Sequence, residues 1–525
     1  MEKKSYPYLL YLLLCIPLGI FFYCFIPQYL IPTEDAAILF AYAENWAQTG
    51  VISYYPGGAP TEGATDFLFL VLVTLGIKAG LKTYTSALLI NGIATLLSVY
   101  FLSRIVRRSS TAALLLSVAF IFSASQLGAG LYGYGTMAYG AAILFTIWQF
   151  YRNNFALTVT GALITMLFRP DGFVIMAPLI LLYCLKDLSE LRYKLRTLLL
   201  YGIIPGMLYF AGRYLYFGEL FPLPFYVKTS GQGKIWGLFL ESSFHVNKHY
   251  LRYTLLPLLT GLSAAFLLRR KDINGKEITI AGTLICVPLL FYSMTQQDMN
   301  LGYRYQYPVY LGTAILTLRF ICQYRTWWLI PFSLLTFYLL NKDRRLIPDT
   351  RYSNLYLVPE ALNAFRGKMA VTDAGYMAWK SKWEVADMWG LNTLEYARRL
   401  ILPEDLEQFR PDLVEITGFT DLYHFPELRT QKTFNNMGSN AYLFALRHDY
   451  EIWDMPRGII EEKGKTVFNS FIDRWLCFSP YVPNRITFCV RKDFEYYDEV
   501  VTVMKKHQAI RVNKENISHR NSLSH

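Results

Sequence analysis

The sequence predicts a helical polytopic membrane domain of about eleven spans followed by a small α/β domain. Three observations predict it. The 525-residue chain is 53% hydrophobic and 16% aromatic, with a mean hydropathy of +0.24, which is more than soluble globular chains carry. From residue 9 to residue 340 the apolar residues form a train of runs with short polar breaks, after which the composition turns mixed. Lys and Arg collect in alternate breaks, as the positive-inside rule requires of cytoplasmic loops. The boundaries that follow are 1–341 for the transmembrane domain, with a first extracytoplasmic loop at 27–66, then 342–504 for the soluble domain and 505–525 for a polar basic tail.

Threading the apolar runs through the charged breaks orders the spans. Residues 8–25 enter from the cytoplasm, with no small-residue cleavage site after them, and read as a retained first span rather than a removed leader. The run 67–80 is apolar but short for a crossing and reads as interfacial or re-entrant. Spans at 86–102, 112–131 and 137–151 follow, then a hairpin over 155–185 whose tip is Arg169-Pro170-Asp171-Gly172. The remaining spans are 198–217, 251–268, 278–294, 307–322 and 327–340. An odd number of crossings puts the soluble domain on the same, non-cytoplasmic side as the first loop. In that domain, short alternating runs at 368–372, 382–386 and 413–418 predict strands, and 393–400 and 403–409 predict helices between them.

The net charge of +12 invites a nucleic-acid reading. The loop cations account for it, and the soluble part lacks a basic patch with interleaved aromatics, so no nucleic-acid partner is expected. Of the seven cysteines, Cys15, Cys24, Cys184, Cys286 and Cys322 lie in or beside apolar runs as small apolar fillers. Cys477 and Cys489 are candidates for a disulfide if their domain is extracytoplasmic. No CxxC or His/Cys zinc spacing occurs.

Several residues carry two readings. Glu34 and Asp35 open a predicted helix behind Pro32 and Thr33, where acids complement the positive end of the helix dipole. Asp35 is also placed to act as a general base. Glu62 is a further acid of the same loop, ahead of a glycine. Arg304, Arg169 and Arg213 lie at span mouths or inside spans, where an arginine costs about 2.5–3.5 kcal/mol on insertion scales. They either snorkel to headgroups or clamp a lipid phosphate. Lys228 is an exposed loop cation or a fourth member of that clamp. His245 and His249 have metal-compatible spacing but lack a third ligand, so an amphipathic surface helix is preferred. Trp379, Trp383 and Trp389 either stack on sugar rings or build a small core.

Taken in order, the blocks resemble a known family. EDAAILFAYAENWAQTGVISYYPGGAPTEGATDFLF is similar to the family's DDAYI.FRYA.N…G.G…NPGG..VEGYTNPLW pattern. RPDG resembles its RPEG, YFGELFPLPFYVK its YYGDPLPNTFYAK, and GYRYQYPVY its RYLLPLLP. VTDAGYMAWKSKWEVADMWGLN resembles its v.EaG.iPYYSg..v.D..GLND. The family is the GT-C superfamily of membrane glycosyltransferases, near the terminal arabinofuranosyltransferases. The resemblance implies an inverting transfer of a sugar from a polyprenyl-phosphate donor to a glycan or glycolipid hydroxyl in cell-envelope assembly. It places the protein in the bacterial cytoplasmic membrane as a multi-pass enzyme whose active site and C-terminal domain are extracytoplasmic. Asp35 would be the catalytic base and Glu34 its assistant or the residue that orients the acceptor. Arg304, Lys228 and Arg213 would meet the donor phosphate. Glu62, Arg169, Asp171, Trp379 and Asp387 would shape the substrate site. No obligatory cofactor is implied, and a divalent metal is left open. The chain departs from the pattern at Glu34, Ala64, Asp66 and 376–379, where sugars would bind, so the sugar is left open too. The reading from a different class is a lipid-linked-sugar flippase, which would share the spans and arginines and need no base.

Overall fold

The structure is a computed structural model. It describes residues 31–106, 111–122, 124–230, 241–255, 275–295, 297, 300–324, 354–417, 434–456 and 485–512. The expected spans at 8–25 and 327–340, and most of 251–268, lie outside these residues.

The helical part opens with α1 (Glu34–Thr49). Thr33 stays extended and its side chain accepts the Ala36 N–H at 3.4 Å, so the helix starts where a Thr cap and two acids favour it. Gly50 stops it in the left-handed region at φ 78°. Next, α2 (Phe67–Lys78) has 12 residues, about 18 Å of rise, which falls short of a hydrocarbon core of about 30 Å. That length fits the interfacial or re-entrant reading.

Three described helices are long and apolar enough to cross a membrane: α3 (Thr83–Ile105), α9 (Leu188–Phe217) and α12 (Gly275–Ser293). Between α3 and α9 the chain forms α4 (Thr111–Phe122), α5 (Ser125–Leu131), α6 (Thr136–Tyr151), α7 (Phe155–Phe168) and α8 (Gly172–Leu185). The single span expected over 112–131 is therefore two helices, with Ala124 extended between them. The hairpin expected over 155–185 is present as α7 and α8, turned at Arg169–Asp171. Helix α9 starts ten residues before the expected 198, because the cationic run through Arg192, Lys194 and Arg196 is itself helical. Helix α6 is buried along most of its length and packs on α3, α7 and the later helix α13 (Tyr307–Tyr324), so the bundle is built around it. Two short helices, α10 (Leu223–Ser230) and α11 (Glu241–Tyr250), lie between α9 and α12.

The C-terminal part is α/β, as expected. Its helices are α14 (Asn354–Leu362), α15 (Tyr376–Ser381), α16 (Leu394–Ala397), α17 (Pro403–Phe409), α18 (Phe434–Arg447) and α19 (Tyr497–Lys506). Its strands are β1 (Lys368–Val371), β2 (Glu384–Asp387), β3 (Leu413–Thr417), β4 (Tyr450–Pro456), β5 (Arg485–Arg491) and β6 (Ile510–Arg511), in the order β2-β1-β3-β5-β4-β6. Strands β2, β1 and β3 run parallel, and β5, β4 and β6 continue the sheet antiparallel. The end of α19 and strand β6 fall inside the stretch expected as a polar tail, where β6 pairs with β4 at the sheet edge. Cys489 is buried on β5 as a free thiol, which speaks against the candidate disulfide with Cys477; Cys477 itself lies outside the described residues. The carboxyl ends of β1 and β2 lead into loops that lie against α1, so the sheet stands over the start of the helical domain.

Candidate active site

Arg304 is delivered by a tight turn. Leu301–Gln306 is a 3-10 segment in which Gly302 (φ 61°) and Tyr303 (φ 52°) take left-handed backbone conformations just ahead of α13. A non-glycine residue holds such a conformation only where its surroundings enforce it. The turn lays the Arg304 guanidinium 4.0 Å from the Tyr134 ring centroid and 5.5 Å from that of Tyr305, in cation–π contact. Its Nη2 lies 3.8 Å from Asp35 Oδ2, and the Tyr134 hydroxyl donates to the same oxygen at 3.4 Å. At 3.8 Å the charges attract but do not share a hydrogen bond. Arg304 Nε is buried and has no hydrogen-bond partner among the described residues. The guanidinium therefore keeps donors to spare beside a carboxylate.

Arg169, at the tip of the α7–α8 hairpin, is spent differently. Its Nε and Nη2 donate to the two oxygens of Asp171 at 3.0 and 2.7 Å, and the Tyr292 hydroxyl donates to Asp171 Oδ2. The Arg169 guanidinium lies 5.5 Å from the Tyr139 ring and 5.2 Å from the Tyr305 ring. Tyr305 thus lies within cation–π range of both arginines. A third acid belongs here, one that the sequence marks only as a departure from the family pattern. Asp66 sits half-buried ahead of α2 without capping it. Burial pushes its carboxyl up, while the fields of Arg169 and Arg304 pull it down and Asp171 opposes them.

Beneath the Arg304 turn lies a cluster of neutral amides. Gln306 Nε2 donates to Asn247 Oδ1 at 3.0 Å and to Gln297 Oε1 at 2.6 Å. Asn300 Nδ2 donates to Gln297 Oε1 at 2.8 Å and to Gln306 Oε1 at 2.6 Å, and Asn300 Oδ1 accepts the Tyr305 N–H at 3.0 Å. Gln306 is fully buried. Its replacement by Leu takes one hydrogen bond from each of three amides and leaves Asn247 Oδ1 unmatched, and a buried unsatisfied group costs about 1–3 kcal/mol. Gln306→Leu is expected to lower the thermal midpoint in detergent and to weaken whatever ligand Arg304 holds, whereas Gln306→Asn should do less of both.

Other sequence candidates are engaged elsewhere. Arg213, expected at the donor phosphate, is buried on α9 and donates through Nε to Glu62 Oε2 at 2.8 Å, through Nη2 to the same oxygen, and through Nη1 to the Leu220 carbonyl at 3.2 Å. Its guanidinium is consumed by a buried ion pair, and Glu62, expected at the substrate, is the other half of it. Burial pushes the Glu62 carboxyl up to about 7 against the pull of Arg213. The Glu62 carbonyl also accepts the Leu223 N–H at 3.0 Å, so the pair pins the first loop to α9 and α10. Removing one partner of a buried pair strands the other, at about 3–5 kcal/mol. Arg213→Met should therefore destabilise the fold sharply in thermal unfolding, and Arg213→Met with Glu62→Leu should recover most of the loss.

Asp387, also expected at the substrate, is fully buried and organises its own loop. Its oxygens accept the N–H groups of Trp389 at 2.9 Å, Gly390 at 3.3 Å and Asn392 at 2.9 Å, and the Asn392 side chain at 2.9 Å. Burial pushes it up to about 6 despite those bonds. Trp379, expected to stack on sugar, is buried against α1: its Nε1 donates to Glu44 Oε1 at 2.7 Å and its ring meets Phe40 edge-on at 5.3 Å. Trp383 is a core residue whose Nε1 donates to the Leu362 carbonyl at 2.9 Å. Lys228 lies on α10, and its side chain is outside the described residues. His249 stacks on Tyr303, 6.1 Å between centroids, behind the Arg304 turn.

The structure thus brings together Asp35, Arg304, Arg169 and Asp171 from three separate stretches of sequence. Crystal structures of ArnT from Cupriavidus metallidurans share the architecture. The one bound to undecaprenyl phosphate superposes with a TM-score of 0.54 at 12% identity, covering 81% of this chain and 96% of that one. The fold is GT-C-like. The apo ArnT structure superposes with a TM-score of 0.53 at 12% identity, covering 79% and 93%. At that identity the likeness is one of fold. Residues 354–471, most of the α/β domain, match a family described as a domain of unknown function (DUF8728). Among curated proteins none matches. Within the GT-C-like fold, the side chains that sequence reasoning missed are Tyr134, Tyr305, Asp66 and the amide cluster. Tyr305 neighbours Arg304 in GYRYQY and could have been weighed with it. Gln306 stands in the same block and Asp66 in the opening one, where it reads only as a departure from the pattern, while Tyr134, Asn247, Gln297 and Asn300 stand in none of the blocks.

Proposed function

We propose that this protein is a glycosyltransferase that moves a sugar from a polyprenyl-phosphate donor to a hydroxyl of a glycan or glycolipid, on the non-cytoplasmic face of the membrane. The observation that carries this reading is the pairing of Asp35 with Arg304, a carboxylate beside a guanidinium whose donors are unspent. The GT-C-like fold supports it, as does the undecaprenyl phosphate held by an ArnT of that fold. In the reaction, the acceptor oxygen attacks the anomeric carbon as the bond from that carbon to the phosphate oxygen breaks. The polyprenyl phosphate leaves with the bonding pair, and Asp35 takes the acceptor's proton. Arg304 meets the charge that grows on the phosphate with hydrogen bonds already oriented. Arrival of the phosphate also draws Arg304 off Asp35, which leaves that carboxylate to the acceptor. Arg169 stays with Asp171 and fixes the shape of the wall, and no step is assigned to a metal.

The test is transfer of label from a panel of polyprenyl-phosphate sugars to candidate acceptors by the purified protein in vesicles. Transfer is expected from at least one lipid donor. Translocation of the lipid sugar without transfer would sink the reading and favour a flippase.

A further inference from the structure

Glu34 and Asp35 are adjacent in the first turn of α1, so their side chains leave the helix about 100° apart and do not share a target. Asp35 faces Tyr134 and Arg304. Glu34 faces the other way, into the C-terminal domain, where its Oε1 accepts the Gly375 N–H in the loop after β1. Gly375 lies so close that a Cβ there would run into the Glu34 carbonyl oxygen, which only a glycine avoids. The same loop is held on both sides of this contact. The Tyr376 hydroxyl donates to the Pro32 carbonyl, one residue before the Thr33 cap, and the Tyr54 hydroxyl donates to the Ala374 carbonyl. Further along α1, Lys382 Nζ lies 2.6 Å from Glu44 Oε2, and Tyr42 donates to Asn392 Oδ1 at 3.1 Å. The C-terminal domain therefore grips the helix that carries Asp35 from its first residue to its third turn.

We propose that Glu34 is a positioning residue rather than a reacting one: with Gly375 it latches the C-terminal domain onto the start of α1 and so sets the direction of Asp35. The two acids of the opening motif divide the labour, one holding and one reacting. The inference deepens the proposed transferase reading and rests on it for the role of Asp35. The latch itself needs a hydrogen-bond acceptor at Glu34, not a charge.

That difference makes it testable with Glu34→Gln, Glu34→Ala and Gly375→Ala in the full-length protein. Gln keeps an oxygen for the Gly375 N–H. Glu34→Gln should transfer within about threefold of wild type with the same pH profile, whereas Glu34→Ala should lose kcat by about tenfold or more with donor KM little changed. Gly375→Ala should follow Glu34→Ala. Hydrogen exchange gives a readout free of activity: the Gly375 amide should be protected in wild type and Glu34→Gln, and should exchange at least about tenfold faster in Glu34→Ala. Equal damage from Gln and Ala, or a pH limb lost in Glu34→Gln, would show that the charge is used in the reaction and overturn the latch. An unprotected Gly375 amide in wild type would overturn it as well, whether or not transfer is seen. Protection at Gly375 in a protein that transfers nothing would leave the latch standing and remove the transferase.

Discussion

Asp35→Asn should lower the rate of sugar transfer by about 10²–10⁴-fold, the contribution typical of a positioned general base. The substitution is nearly isosteric. It keeps an oxygen for the Tyr134 hydroxyl, which now donates to Asp35 Oδ2 at 3.4 Å, so the wall of the site should survive. What is lost is the ability to accept a proton from the attacking hydroxyl. The loss should fall on kcat, with donor binding retained or improved, since Arg304 no longer has an anionic neighbour 3.8 Å away. The check is single-turnover transfer beside equilibrium binding of the lipid donor. Unchanged turnover in Asp35→Asn would falsify the assignment of the base.

Arg304→Ala carries the second large effect, and on the opposite parameter. The guanidinium is pinned between the Tyr134 and Tyr305 rings with its Nε unengaged, so little reorganisation is needed to meet a phosphate. Removing one oriented donor from a site of developing charge costs about 10²–10³-fold in rate. Here the ground-state phosphate is bound as well, so donor affinity should fall along with turnover. Arg304→Lys should not restore it, because a single ammonium cannot present a planar fork and stacks poorly on Tyr134. Titration with a short-chain polyprenyl phosphate would read this directly. A donor affinity equal to wild type in Arg304→Ala would move the phosphate elsewhere, with Arg169 the next cation in the cluster.

Sequence reasoning reached the fold because each step had a local physical sign. Thr33 followed by two acids reads as a helix start, and it is one. The Arg-Pro-Asp-Gly break between apolar runs reads as a hairpin turn, and it joins α7 to α8. Strands β1 to β3 alternate in the manner that announces them, whereas β4 and β5 were passed over. At the site, the expectation that Asp35 and Arg304 serve one reaction came from the ordered blocks, and their ion-pair distance of 3.8 Å is what the structure adds. What stayed hidden depends on tertiary neighbours. Nothing at Asp387 or Trp379 says that their polar atoms are already satisfied by backbone amides and by Glu44. Likewise, Arg213 reads as a costly free cation until Glu62 is seen beside it. Asp66 was noticed only as a departure from a pattern, although an acid left uncapping at the mouth of an apolar helix is itself a sign of another use.

The four amides behind the Arg304 turn have a consequence of their own. Asn247, Gln297, Asn300 and Gln306 carry no titratable proton, so the scaffold they form is indifferent to acidity and to salt. Acidification leaves these amides as they are, so the hydrogen bonds among them that back the Arg304 turn persist through it. A fall in turnover on acidification that is present in wild type and absent from Asp35→Asn would then report on the base, separately from Glu62 and Asp387.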